Sequence, residues 1–369
     1  MAGWRARAAR AVLGLAVLGT TVSAMGQVTP VPAGAATPRT LGEIVVDDVN
    51  GHVFVTDGDT VTVHDLDGAL VETITGQTGA IDLFLRDGTL YVLATGAERI
   101  TTVDADSLEV TGGWDLDTPL VQSMAWSGGR IWFTHGDQWG GLGSLDPVTG
   151  TVTLSLVTQV RVRAELQATE SPARLYVLSR NISPSRLEVY DVSGATPLLL
   201  DRAPHSSASC GSGRDLALSL DGTTAWTACG SPYVYTQWDL ADLSAPSGTL
   251  AATNYPNGIA TTTGGYRVGS IQATAANVRL YEPAATTPVK ILSVPVRPAN
   301  GMVAGTAGGE RLYVGTQDGA FHTLRLDPVV TTVAPTPVDR GALVTVTGTG
   351  MSDVTEAEIG GVTAAVTIV

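Results

Sequence analysis

Seven turn dipeptides punctuate the chain at nearly regular intervals, and each precedes a short apolar run. They are Asn50-Gly51, Asp87-Gly88, Gly128-Gly129, Pro172-Ala173, Asp221-Gly222, Gly264-Gly265 and Gly308-Gly309. Their mean spacing is about 43 residues, the length of one four-stranded blade in a radially repeated sheet. All but Pro172-Ala173 place Gly second, where a tight hairpin turn needs positive φ. The runs that follow (52–55, 90–93, 131–133, 175–178, 225–227, 266–268 and 312–314) carry an aromatic at a recurring place, as in Phe54, Tyr91, Trp132, Tyr176 and Tyr313. A flat side chain there would fill the wedge between stacked blades. Third strands at 61–65, 100–104, 187–191 and 321–327 end in Asp, a residue that caps the next turn. Fourth strands are expected at 70–74 and 152–157. The last repeat shows none, so a segment before Leu41 is the candidate to close the ring, because sheets avoid free edges. The predicted fold is all-β: a seven-bladed β-propeller of four-stranded antiparallel blades over residues 41–327.

Composition agrees with short strands and tight turns. The chain holds 43 Gly, is 44% hydrophobic and only 15% charged, and is rich in Thr and Val, which fit a pleated surface. Its formal net charge is −14, and Lys290 is the sole lysine among 21 basic residues. That bias is read as GC-rich codon usage. Scattered Arg outnumbered by acids cannot track a phosphate backbone, so nucleic acid is not an expected partner.

The N-terminus has the three parts of a secretory signal. Arg5, Arg7 and Arg10 are followed by an apolar run over 11–19 and a small-residue cleavage site, Val22-Ser23-Ala24. The run is too short to span a bilayer, so no membrane span is expected in the mature chain. The expected organisation is a Sec-type signal peptide at 1–24, a linker or ring-closing segment at 25–40, the propeller, and a separate piece at 328–369. The expected localisation is secreted. Export also makes Cys210 and Cys229, which flank the Asp221-Gly222 hairpin, a candidate disulfide; two buried thiols are the alternative.

Other motifs are read as structural. Ser219-Leu220-Asp221-Gly222-Thr223 looks like a sialidase Asp box with one residue missing between Asp and Gly, and is taken as a hairpin turn. The five histidines (52, 64, 135, 205 and 322) show no metal-binding spacing. His135, Asp137, Gln138 and Trp139 share a Gly-rich loop that could touch a ligand. Trp139 is read there as an inter-blade residue, with sugar stacking as the alternative.

Several stretches resemble bacterial propellers of the YVTN and NHL type, in their exported actinobacterial form. They are Glu43-Ile44-Val45-Val46-Asp47 with Val53-Phe54-Val55, Asp87-Gly88-Thr89-Leu90-Tyr91-Val92, and Pro256-Asn257-Gly258-Ile259-Ala260. After Asp327 the period breaks at Pro328, Pro335 and Pro337. The segments Val344-Thr345-Val346-Thr347-Gly348-Thr349-Gly350 and Ile359-Gly360-Gly361-Val362 resemble the opening of an IPT/TIG domain, an immunoglobulin-like sandwich. Such a sandwich spans about 100 residues, so 328–369 is read as a truncated copy within a fragment of a larger protein.

Polar residues fall near the start of each expected innermost strand: Glu43, Asp82, Gln122, Asp215, Asn257 and Asn300. They are the candidate ligand-binding residues of the channel mouth, where inner strands converge. No catalytic constellation is legible. The leading expectation is a non-enzymatic module that binds an extracellular protein or glycan, with no cofactor. The alternative follows from resemblance to gluconolactonase-like propellers, in which a Glu, two Asn and an Asp hold a divalent cation. Glu43 and Asn257 would then help bind Ca2+ or Mg2+ for a hydrolase or lyase acting on a lactone-like substrate. The Trp usual after that Glu is replaced here by Val46.

Overall fold

The computed structural model describes residues 42–137, 139–161, 164–180, 182–326 and 344–349. Beside these it describes the short strands Gly3–Arg7, Val12–Gly14, Val329–Ala334, Glu356–Ile359 and Val362–Ala365. The described residues between 42 and 326 form seven antiparallel blades arranged as a closed ring. Blade 1 holds Ile44–Asp47, His52–Asp57, Thr60–Asp65 and Leu70–Ile74; blade 2 holds Ala80–Arg86, Thr89–Ala94, Arg99–Asp104 and Val110–Asp115. Blade 3 runs Met124–Ser127, Arg130–His135, Trp139–Asp146 and Thr151–Arg161. Blade 4 runs Glu165–Glu170, Ala173–Leu178, Leu187–Asp191 and Leu198–Arg202. In blade 5 the strands are Gly211–Leu218, Thr224–Ser231, Val234–Asp239 and Gly248–Ala251. Blade 6 comprises Pro256–Thr261, Arg267–Ile271, Val278–Tyr281 and Lys290–Leu292. Blade 7 has three strands among the described residues, Pro298–Gly305, Arg311–Thr316 and Phe321–Arg325. The segment expected to supply its fourth strand, before Leu41, lies outside the described residues.

Each of the seven dipeptides sits in or beside the turn between the first and second strand of a blade. Asp87 and Gly88 (φ 49° and 74°) and Gly128 and Gly129 (φ 60° and 72°) adopt consecutive left-handed conformations. That geometry defines the two-residue turn whose twist matches the flanking strands. Three of the four strand-ending Asp residues cap as expected: Asp65 accepts the Ala69 amide at 2.8 Å, Asp104 that of Ser107 at 2.8 Å and Asp191 that of Ser193 at 2.9 Å, while Asp327 lies outside the described residues. The Asp-box-like segment is a hairpin turn, with Ser219 and Thr224 paired at its base and Gly222 at φ 66°.

The core is divided among the blade interfaces. Phe54, Trp132, Tyr176 and Tyr313 are fully buried, each in a cluster drawn from two neighbouring blades. Burying one such side chain stabilises the fold by roughly 1.5–3 kcal/mol. The ring closes by packing blade 7 on blade 1: Ile44, Val53 and Val55 meet Met302, Ala304 and Tyr313. The Tyr313 hydroxyl donates to the Leu66 carbonyl at 2.8 Å, and Arg311 reaches Asp67 at 3.0 Å. Cys210 and Cys229 form a disulfide. It joins the one-turn helix Ser207–Cys210 to the second strand of blade 5. Beyond the ring, Val329–Ala334 pairs with Thr345–Thr349, and Gly3–Arg7 pairs with both Val12–Gly14 and Glu356–Ile359. Much of the expected sandwich lies outside the described residues, and no described helix is long and apolar enough to cross a membrane.

Candidate functional site at the channel mouth

The seven innermost strands run in the same direction along the ring axis, so residues at their starts gather at one mouth. Two cavities of about 520 and 480 Å³ lie along this axis and share Glu43, Glu165, Gln167 and Thr261, making them two halves of one channel. At the opposite end Arg86 lies 4.7 Å from the centroid of the Trp126 ring and donates to Glu170 at 2.9 Å, spanning blades 2 to 4.

Several mouth residues latch one blade to the next. Asp82 of blade 2 accepts the Leu83 amide at 2.8 Å and the Met124 amide of blade 3 at 2.6 Å. Asp215 of blade 5 repeats the arrangement, taking Leu216 at 2.9 Å and Ile259 of blade 6 at 2.6 Å. In blade 3 the latch is Ser123, whose hydroxyl accepts the Leu166 amide at 3.2 Å; its neighbour Gln122 is half-buried and engages Thr134 through its backbone. Asn257 of blade 6 donates to the Pro298 carbonyl of blade 7 at 2.9 Å and accepts from Ser270 at 2.9 Å. Asn300 accepts from Gln272 at 3.1 Å and from Asn257 at 3.4 Å. An inner strand's first amides point to the channel rim without a sheet partner, and a side-chain oxygen from the preceding blade satisfies them.

The mouth also holds a cation that sequence reading missed. Arg180, in the loop between the second and third strands of blade 4, donates to Glu165 at 2.5 Å. Glu165 occupies the blade 4 position between Gln122 and Asp215, one repeat from each, so the spacing could have found it. Nothing in the sequence marks Arg180. Its loop is stitched to blade 5: Ser185 donates its amide to the Cys210 carbonyl at 2.8 Å and accepts the Gly213 amide at 2.5 Å. The disulfide thus anchors the segment that holds the Arg180 loop.

The electrostatics follow from crowding in a confined channel. Burial pushes Glu43 well above the usual carboxylate range, and repulsion from Asp82, Glu165 and Asp215 adds to it. Asp82 is raised to about 7 and Asp215 to about 8, in both cases by burial first and then by Glu165. Glu165 is also raised by burial, although Arg180 opposes the shift. Burial works against the Arg180 charge, but the four carboxylates outweigh it and hold its proton more tightly. Arg214, at the same mouth, is lowered by burial and then by the like charge of Arg180.

This arrangement does not fit the divalent-cation site of the alternative reading. Asp82, Asp215 and Asn257 spend oxygens on latches, and a guanidinium lies among the carboxylates. Among the described residues no three His, Cys, Asp or Glu side chains converge on one ion position. His135 is buried and accepts the Ser155 amide at 3.1 Å, while Gln138 lies outside the described residues. Trp139, expected between blades, is instead 59% exposed. The third and fourth strands of blade 3 extend past the second, pairing Trp139 with Arg161, and carry it out onto the mouth face.

The chain is therefore a seven-bladed β-propeller with a latched, internally neutralised mouth. No family model matches it, and no curated protein matches it. Among solved structures it is similar to one described as the structure of U3-55K, with a TM-score of 0.58 and 10% identity over 79% of this chain and 97% of that one. That likeness is one of fold.

Proposed function

We propose that this propeller is a binding module of a secreted or cell-surface protein, and that its ligand face is the one carrying the channel mouth. One observation carries the reading. The exposed aromatics among the described side chains, Trp139, Tyr233 and Tyr255, all lie on loops or strand starts of that face. The exposed large apolar residues in turns and loops of the opposite face are Val49, Val148, Leu220 and Val289, none aromatic. Aromatic side chains give large contact area at low entropic cost and are enriched where proteins bind partners.

The signal-like N-terminus supports export, as does the disulfide, which persists in oxidising compartments. On that reading, cleavage after Ala24 removes the strands Gly3–Arg7 and Val12–Gly14. The YVTN/NHL-like stretches support a bacterial propeller of that type, and the segment after Asp327 supports an appended IPT/TIG-like spacer. The partner is an extracellular protein or glycan.

The disulfide leaves the chain without a free cysteine, so a single introduced thiol can be labelled. Ala97 lies in the mouth-face loop of blade 2, and Val148 in an exposed turn of the opposite face. The full chain carrying Ala97→Cys or Val148→Cys, each coupled to a bulky polymer, is applied to arrays of neutral and acidic polysaccharides and of Lys/Arg-rich peptides. Loss of the unlabelled protein's binding with the Ala97 label alone is the expected result. Loss with the Val148 label alone, or no binding by any form, overturns the assignment.

A further inference from the structure

Within the mouth face, Tyr233 and Tyr255 form a built pair. Their ring centroids are 4.9 Å apart at an interplanar angle of 67°. Tyr233 is 46% and Tyr255 49% exposed, so about half of each side chain is open to solvent. The pair joins two blades: Tyr233 follows the second strand of blade 5, and Tyr255 ends the crossover into blade 6.

The backbone beneath it is strained. Asn254 and Tyr255 have φ of 29° and 37°. Asn tolerates positive φ, but for a bulky side chain such as Tyr it is an outlier that the surrounding structure must hold in place. The strain is held by bracing. Buried Arg279 donates to the Thr253 hydroxyl at 2.8 Å, and the Gln272 amide donates to the Tyr255 carbonyl at 3.1 Å. An exposed tyrosine fixed at such a backbone position, where glycine would relax the chain, is a preorganised contact surface and not a packing residue.

The surroundings select the ligand. Gln272 bonds Tyr255 through its backbone amide and donates its side-chain amide to Asn300, so two side-chain amides border the platform. The adjoining mouth is rich in carboxylates, and the chain carries −14 overall, which disfavours an anionic polymer. A cationic peptide has little to hold either, because Arg180 already stands among the carboxylates and pairs with Glu165, while burial holds Asp82 and Asp215 above the usual carboxylate range.

We propose that the Tyr233–Tyr255 pair, flanked by Gln272 and Asn300, is a stacking platform for a neutral pyranose chain. The proposal rests on the mouth face being the ligand face and deepens it by naming the class of ligand. The apolar faces of the sugar rings lie on the tyrosines, and their hydroxyls exchange hydrogen bonds with the amides.

The test is calorimetric titration of the full chain with cellohexaose and with N-acetylchitohexaose, beside a Lys/Arg-rich peptide. Saturable binding of at least one oligosaccharide is expected. Tyr255→Ala and Tyr233→Ala each weaken it about tenfold or more, equivalent to about 1.4 kcal/mol. Tyr255→Gly abolishes binding while leaving the melting temperature unchanged or higher, a result that a purely structural tyrosine would not give. Binding of neither oligosaccharide, or binding indifferent to both tyrosines, overturns the platform. Peptide binding lost on Tyr255→Ala overturns the glycan assignment but leaves the mouth face as the ligand face, and the polymer-label experiment reports on that face independently.

Discussion

Asp82 and Asp215 occupy the same place in two blades and make the same pair of bonds, one to their own strand and one to the next. Four hydrogen bonds would ordinarily favour two ionised carboxylates. Here burial and the neighbouring Glu165 win, and the two groups titrate at about 7 and 8. In the unfolded chain both carboxyls titrate near 4. Between those limits the folded protein holds protons that the unfolded chain has lost, so stability falls as pH rises through that window. The turn-capping Asp104, Asp146 and Asp191 behave oppositely. Backbone or serine donors hold them below their usual range, so their contribution is lost only in acid. The melting temperature is expected to peak near pH 5 and to decline by several degrees toward pH 8.5. Glu43→Gln, which removes one member of the crowded set, flattens the decline. Calorimetric scans across this range check it, and a melting temperature that rises from pH 5 to 8.5 would contradict the raised carboxyls.

At the scale of strands and loops, much of the architecture was legible and part was not. Turn dipeptides and β-branched runs located the second strands of all seven blades, because local chemistry decides where positive φ and pleated packing occur. The fourth strand of blade 3 was expected at 152–157 and is Thr151–Arg161; its extension depends on pairing with the unusually long third strand, which carries Trp139 outward. The disulfide was legible from two cysteines flanking one hairpin. The Arg180 loop was not, since its position is fixed by Ser185 bonds to another blade. These two features are coupled, because Cys210 carries the carbonyl that holds Ser185. Reduction is expected to destabilise the protein by roughly 3 kcal/mol, the value for closing a loop of about 20 residues. Loosening the Arg180 loop would add to this. Thermal melts with and without reductant measure the effect, and an unchanged melt would refute it.

The whole ring explains why the mouth candidates required a structure. Spacing nominated a polar residue for six of the blades, but what each does depends on the blade beside it. Asp82, Asp215 and Asn257 became latches, Ser123 took the place expected of Gln122, and Glu165 met Arg180. Ring closure brings four carboxylates to one channel, where protonation and a guanidinium offset their repulsion. We propose that this mouth is satisfied from within and that recognition belongs to the surface around it. Calorimetric titration of the full chain with Ca2+ and with Mg2+ distinguishes a self-satisfied mouth from a cation site. No saturable heat is expected at millimolar ion, and no difference between the wild-type protein and Glu43→Ala; one-to-one binding that disappears in Glu43→Ala and Asn257→Ala would instead restore the cation-dependent enzyme.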